Sequence, residues 1–192
     1  MSSQLEKFRE AVKTKKKARV LGPWKHTVMA FDQSLANTGW AFIIPTGTQP
    51  MVGCTGMITT PAVGTSIEGM LERSCDIHAE IYTLLQTFAA AHEDLIVVHE
   101  QPIMGPGGHE AALMAAEAVR IAGAMLELPV RMVHAQLAKT HMTQKANASK
   151  AEVTEAVKRR MPDLKDRKVR PLNQHVCDAI AAALYAGEMG VL

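Results

Sequence analysis

HTVMAFDQSLANTGWAFII, residues 26–44, and LIVVHE, residues 95–100, are the stretches from which the fold is read. In the first, HTVMAFD (26–32) is short, apolar and rich in strand formers, and it ends on a carboxylate, Asp32. SLANTG reads as a turn, and WAFII (40–44) as a second strand. MVGCTGMI (51–58) follows as a third across a loop from Pro45 to Pro50, so a β-meander opens the fold. LIVVH (95–99) has the unbroken apolar character of a strand buried on both faces, and it too ends on a carboxylate, Glu100.

Helices fill the intervals. Thr65 and Glu68 have capping-box spacing ahead of Ile67, Met70, Leu71, Ile77, Ile81, Leu85 and Phe88, which recur at helical period over 67–88. A Gly/Pro loop, PIMGPGG, leads to an Ala-rich helix over 109–127, and Val130–Val133 reads as a fifth strand. Ser149 and Glu152 make a second capping box, opening a basic helix that stops near Pro162. Residues 163–172 read as a charged loop, and a last helix starts near Asn173 and reaches about Glu188. The order implies an α/β domain with a mixed five-stranded sheet flanked by helices. It spans 26–192, behind a basic N-terminal extension over 1–25 that Gly22-Pro23 breaks from the first strand.

Composition agrees with one domain: 47% hydrophobic and 21% charged residues allow a sizeable core, and 4% aromatics with 12 Met make it aliphatic. Cys54, Cys75 and Cys177 have no zinc or redox spacing and are expected as reduced, buried thiols. With neither an apolar leader nor a membrane-length apolar run, a soluble, cytoplasmic protein is expected.

The net charge of +2 conceals a division. Residues 1–26 and 139–170 are each net +6, whereas 27–138 are net −8. Basic flanks around an acidic middle suit a protein that grips phosphate at its edges, although either basic run alone equally fits a solvated face.

In α/β sheets, sites form beyond the carboxyl ends of strands, so Asp32 and Glu100 can converge there. His175 and Asp178 are three residues apart, hence on one helix face. Clustered carboxylates repel one another, a divalent cation relieves the repulsion, and oxygen-rich sites favour Mg²⁺ or Mn²⁺. Pattern alone does not separate this from ordinary turn and cap carboxylates.

FDQSLANTGWAFI, VVHEQP, NASKAEV and HVCDAIAAALYA resemble, in order and spacing over most of residues 27–187, the RuvC family of Holliday-junction resolvases. The resemblance implies an RNase H-like fold and a metal-dependent, structure-selective endodeoxyribonuclease that resolves four-way junctions as a homodimer by paired hydrolysis. It implies two Mg²⁺ ions, with Mn²⁺ as a substitute, and places the family's carboxylates on Asp32, Glu100 and Asp178. His175 takes a fourth position that is Asp in some members and His in others, as metal ligand or as activator of water. Lys150 matches a Lys used near the DNA backbone, and Lys139 and Lys145 lie close in sequence, so all three are DNA-binding candidates. Thr38 and Gly39 match a Thr-Gly turn whose role is structural.

Two departures stand out. Gln33 and Ser34 replace the Pro-Gly typical of bacterial members. Ile103 replaces a Phe that contacts unpaired bases; with Met104 it is an apolar wedge candidate. Both lean towards a phage-type member. The alternative is a related RNase H-like nuclease acting on flaps, other branched DNA or RNA–DNA hybrids. An actin-like ATPase or sugar kinase is disfavoured, because no Asp is followed two positions later by Gly and no Walker-type loop occurs. A DNA-binding module without chemistry is disfavoured because all four matched polar positions are filled.

Overall fold

The computed structural model describes residues 24–47, 49–61, 66–102, 109–162, 164 and 172–192. Its strands are β1 (Val28–Asp32), β2 (Asn37–Pro45), β3 (Pro50–Thr59), β4 (Ile96–Glu100) and β5 (Val130–Val133). Its helices are α1 (Ile67–Ala89), α2 (His109–Met125), α3 (Ala135–Thr143), α4 (Lys150–Arg160) and α5 (Gln174–Met189). The strands form one sheet in the order β3-β2-β1-β4-β5. The meander pairs are antiparallel, while β1–β4 and β4–β5 are parallel, giving the expected mixed sheet.

Alternation along β1 divides the core. Val28 and Ala30 point to the face covered by α3, α4 and α5, with Ala41, Ile43, Val98 and Val133. Met29 and Phe31 point to the other face, packing with Phe42 and Val97 against Ile77, Ile81 and Leu85 of α1 and Ala115, Val119 and Ala122 of α2. Helix α5 is the interior helix of the first face: Val176 to Leu184 is buried without a break. Its run of alanines lets the backbone approach the sheet closely. At its far end Gly187 lies under the indole of Trp24, which is itself buried.

Four expectations need correction. The cap of α1 is Ser66, whose hydroxyl accepts from Gly69 N at 3.2 Å, and not Thr65. Strand β2 starts at Asn37, because the Asn-Thr-Gly segment read as turn is drawn into the ladder by β3, through Asn37↔Thr59, Thr38↔Ile58 and Gly39↔Met57, with Gly39 also paired to Asp32 of β1. Helix α3, not expected from the sequence, is capped by His134, an unusual cap residue, and buries only Ala135, Ala138 and Met142. Of the thiols, Cys177 is buried, but Cys54 is half-buried and Cys75 is exposed on the outer side of α1. The second capping box forms as expected, with Ser149 and Glu152 bonding each other's backbone N–H.

Near the end of α5, Glu188 accepts from His141 Nε2 of α3 at 2.6 Å and from Arg160 of α4. This largely buried carboxylate ties the three helices together. No helix among the described residues is long and apolar enough to cross a membrane.

Candidate active site

The period of the strands decides which way the two strand-end carboxylates face. Asp32 has the parity of Val28 and Ala30, and Glu100 that of Val98, so both point to the α5 side of neighbouring strands. Helix α5 brings Asp178 to the same place from above, 5% exposed, one turn after His175. His175 Nδ1 lies 2.6 Å from Asp32 Oδ2. Asn173 opens that helix, its side chain accepting from His175 N at 3.0 Å, so the first turn carrying His175 is fixed at its start.

Gly39 makes the close approach possible. A Cβ there would stand 2.3 Å from the backbone carbon of His175 and 2.6 Å from its Cβ. Only hydrogen at this position lets the N-terminus of α5 descend onto β2 directly opposite Asp32. The preceding turn is stapled by two hydroxyls. Ser34 Oγ donates to Asn37 O at 2.8 Å and accepts from Asn37 N at 3.0 Å, while Thr38 Oγ1 donates to Ser34 O at 2.9 Å and accepts from Ser34 N at 3.2 Å.

The carboxylates sense one another. Burial pushes Glu100 up to about 8, and the charges of Asp32 and Asp178 add to the rise. Burial also raises Asp32; its hydrogen bond to His175 opposes the rise and the charge of Asp178 adds to it. Asp178 Oδ1 is buried without a hydrogen-bond partner. A buried carboxylate oxygen facing other carboxylates with no donor is costly, and a cation is what such a donor set accommodates. Among the described residues, however, no three His, Cys, Asp or Glu side chains are already closed around one point as a metal cage.

The candidate lysines separate. Lys139 of α3 acts on the cluster, its charge lowering both Asp32 and Glu100. Lys145 is paired with Glu152 at 2.5 Å. Lys150 is exposed at the first position of α4. Ile103 and Met104 lie outside the described residues.

One contributor, Gln33, stands out in the sequence only as a departure from the family pattern. Gln33 Nε2 donates to Glu100 O at 2.5 Å, and its Oε1 accepts from Glu100 N at 3.2 Å. The signal available was a long polar side chain directly after a strand-end carboxylate, too common to interpret alone.

No protein-family model and no curated protein matches the sequence. Among solved structures, the chain is similar to RuvC of Thermus thermophilus, with TM-score 0.67 and 22% identity over 85% of this chain and 96% of that one. A structure of T. thermophilus RuvC in complex with Holliday junction substrate matches with TM-score 0.70 and 21% identity, over 86% of this chain and 95% of that one. The yeast mitochondrial Holliday junction resolvase Ydc2 matches with TM-score 0.57 and 8% identity, over 90% and 82%. The strand order, the mixed pairing and the helices on both faces are thus those of the RNase H-like fold in the form seen in RuvC, as the sequence motifs imply.

Proposed function

We propose that the chain is a metal-dependent, structure-selective endodeoxyribonuclease that resolves four-way DNA junctions by paired phosphodiester hydrolysis. The observation that carries this reading is the meeting of Asp32, Glu100 and Asp178 on one face of the sheet, with His175 hydrogen-bonded to Asp32. RuvC-type architecture around that cluster supports it.

Asp32, Glu100 and Asp178 would hold divalent ions, two Mg²⁺ or Mn²⁺ in their place. The chemistry such ions supply is activation of water and stabilisation of the leaving 3′ oxygen. Occupancy would relieve the repulsion that raises Glu100 and give Asp178 Oδ1 a partner. His175 is better suited as a base than as a ligand through Nδ1, because that nitrogen is engaged by Asp32. A neutral imidazole that donates from Nδ1 to Asp32 would keep its lone pair on Nε2, where it could accept a proton from attacking water. Lys139, close enough to offset two of the carboxylates, would bind the phosphate at the cut.

Lys150 and the basic segments 1–25 and 139–170 would grip the DNA arms without reading sequence. Two nicks need two sites, which a homodimer supplies. Exposed Leu113 of α2 and Met132 of the edge strand β5 line one groove, a surface that a second copy would cover.

A panel of four-way junction, flap, RNA–DNA hybrid and linear duplex, each with Mg²⁺ or chelator, tests the reading. Preferred cutting of the junction in Mg²⁺ is expected. Preference for flap or hybrid would move the activity to a related nuclease, and equal cutting of linear duplex would remove structure selectivity.

A further inference from the structure

The parallel ladder between β1 and β4 runs from Val28↔Ile96 to Phe31↔His99 and stops one residue short of Glu100. On its other side the end of β4 remains paired, through Glu100↔Val133 and a bond from Gln101 N to Val133 O at 2.7 Å. On the β1 side, the Gln33 carboxamide takes the place of the missing peptide. Its oxygen receives the Glu100 N–H and its nitrogen donates to the Glu100 carbonyl, at 3.2 and 2.5 Å. His99 Nδ1 also lies 3.0 Å from that carbonyl. One planar amide therefore binds both polar groups of one residue, which fixes the backbone there and with it the direction of its side chain. Gln33 is in turn held, because Ser34 beside it is stapled to Asn37 and Thr38.

We propose that Gln33 is a positioning residue, extending the β1–β4 ladder by one unit so that the Glu100 carboxylate is presented beside Asp32 and Asp178 for metal binding. This rests on the nuclease reading. The role falls at a position where the sequence departs from the pattern it otherwise resembles. It explains how the opening turn tolerates the departure: Ser34 closes the turn and Gln33 supplies the contact to β4.

The test compares the unaltered chain with Gln33→Leu, which keeps bulk but not hydrogen bonding, and Gln33→Glu, which keeps the acceptor but not the donor. Three quantities are read: hydrogen exchange at the Glu100 amide without metal, Mn²⁺ affinity by titration calorimetry, and kcat on a four-way junction at saturating Mn²⁺. Supporting-shell residues of metal sites typically contribute about 10- to 100-fold in affinity or activity. Gln33→Leu should accelerate exchange at Glu100 and weaken Mn²⁺ binding or lower kcat by that factor, with junction affinity in Ca²⁺ unchanged; Gln33→Glu should fall between. Faster exchange with Mn²⁺ affinity and kcat within about twofold of the unaltered chain would overturn the role. If Gln33→Leu does not fold, the same comparison with Gln33→Glu decides. Failure of the unaltered chain to bind Mn²⁺ or cut any junction overturns the nuclease reading and this role together, whereas an active unaltered chain with indifferent variants overturns this role alone.

Discussion

Replacing Gly39 with alanine should disable the site out of proportion to the damage it does to the fold. The added Cβ would stand 2.3 Å from the backbone carbon and 2.5 Å from the carbonyl oxygen of His175. Ordinary contact begins at 3.4 Å, so the start of α5 has to retreat from β2 by about 1 Å. His175 and Asp32 are joined at 2.6 Å, and a retreat of that size takes the pair beyond good hydrogen-bond length. A misplacement of about 1 Å in a catalytic constellation can cost about 100-fold in rate, while overpacking costs about 1–3 kcal/mol of stability. For a chain of this size the latter lowers Tm by about 2–4 °C per kcal/mol. The comparison that isolates the effect is Gly187→Ala, which overpacks the other end of the same helix against the Trp24 ring at 2.1 Å, far along α5 from His175. Single-turnover cleavage of a four-way junction, measured below both melting points, should fall about 100-fold for Gly39→Ala and only a few-fold for Gly187→Ala. Equal losses in the two variants, or near-normal cutting by Gly39→Ala, would refute the reasoning.

Other consequences follow from the same packing. Glu100 titrates at about 8 in the folded, metal-free chain against 4.5 as a free side chain. Between these values the unfolded chain ionises while the folded one keeps its proton. Stability should therefore fall as pH rises, by at most about 1.4 kcal/mol per pH unit. Thermal melts in chelator from pH 5.5 to 8.5 should show this slope, and Glu100→Gln should flatten it; parallel slopes would contradict the assignment. Glu188→Gln should destabilise the protein by about 1–3 kcal/mol, because it removes the charge and leaves one acceptor oxygen where His141 and Arg160 each have their own, as read from urea unfolding, with junction cleavage per folded molecule retained. Loss of cleavage without loss of stability would place Glu188 in the function and not in the scaffold.

What the sequence discloses is set by how local the determinant is. Val28–Phe31 and Ile96–His99 are buried on both faces of the sheet, so their unbroken apolar runs announced central strands, and their parity then fixed the side on which Asp32 and Glu100 emerge. The periodic apolar stripe of α1 was equally plain. Helix α3 was hidden because three small or flexible residues, Ala135, Ala138 and Met142, do its packing behind a His cap. The early start of β2 was hidden because Asn-Thr-Gly is locally a turn and becomes strand only by pairing with Met57–Thr59 of β3 and, at Gly39, with Asp32 of β1. At the site, Asp32, Glu100, Asp178 and His175 are named together as candidates from the sequence, whereas the contact by which Gln33 holds Glu100 is not legible there. The contacts of Gln33 with Glu100 span 67 residues of chain, and that of His175 with Asp32 spans 143. Nothing at residue 33 or 39 alone reveals such neighbours.

The most direct test of the central claim is single-turnover cleavage of a labelled four-way junction by the unaltered chain and by Asp32→Asn, in Mg²⁺ and in chelator, with junction binding measured on the same samples. Paired nicks should appear only with the unaltered chain in Mg²⁺, while Asp32→Asn binds the junction comparably and leaves it intact. Cutting by Asp32→Asn, or by the unaltered chain in chelator, would contradict a metal-dependent site built on that carboxylate.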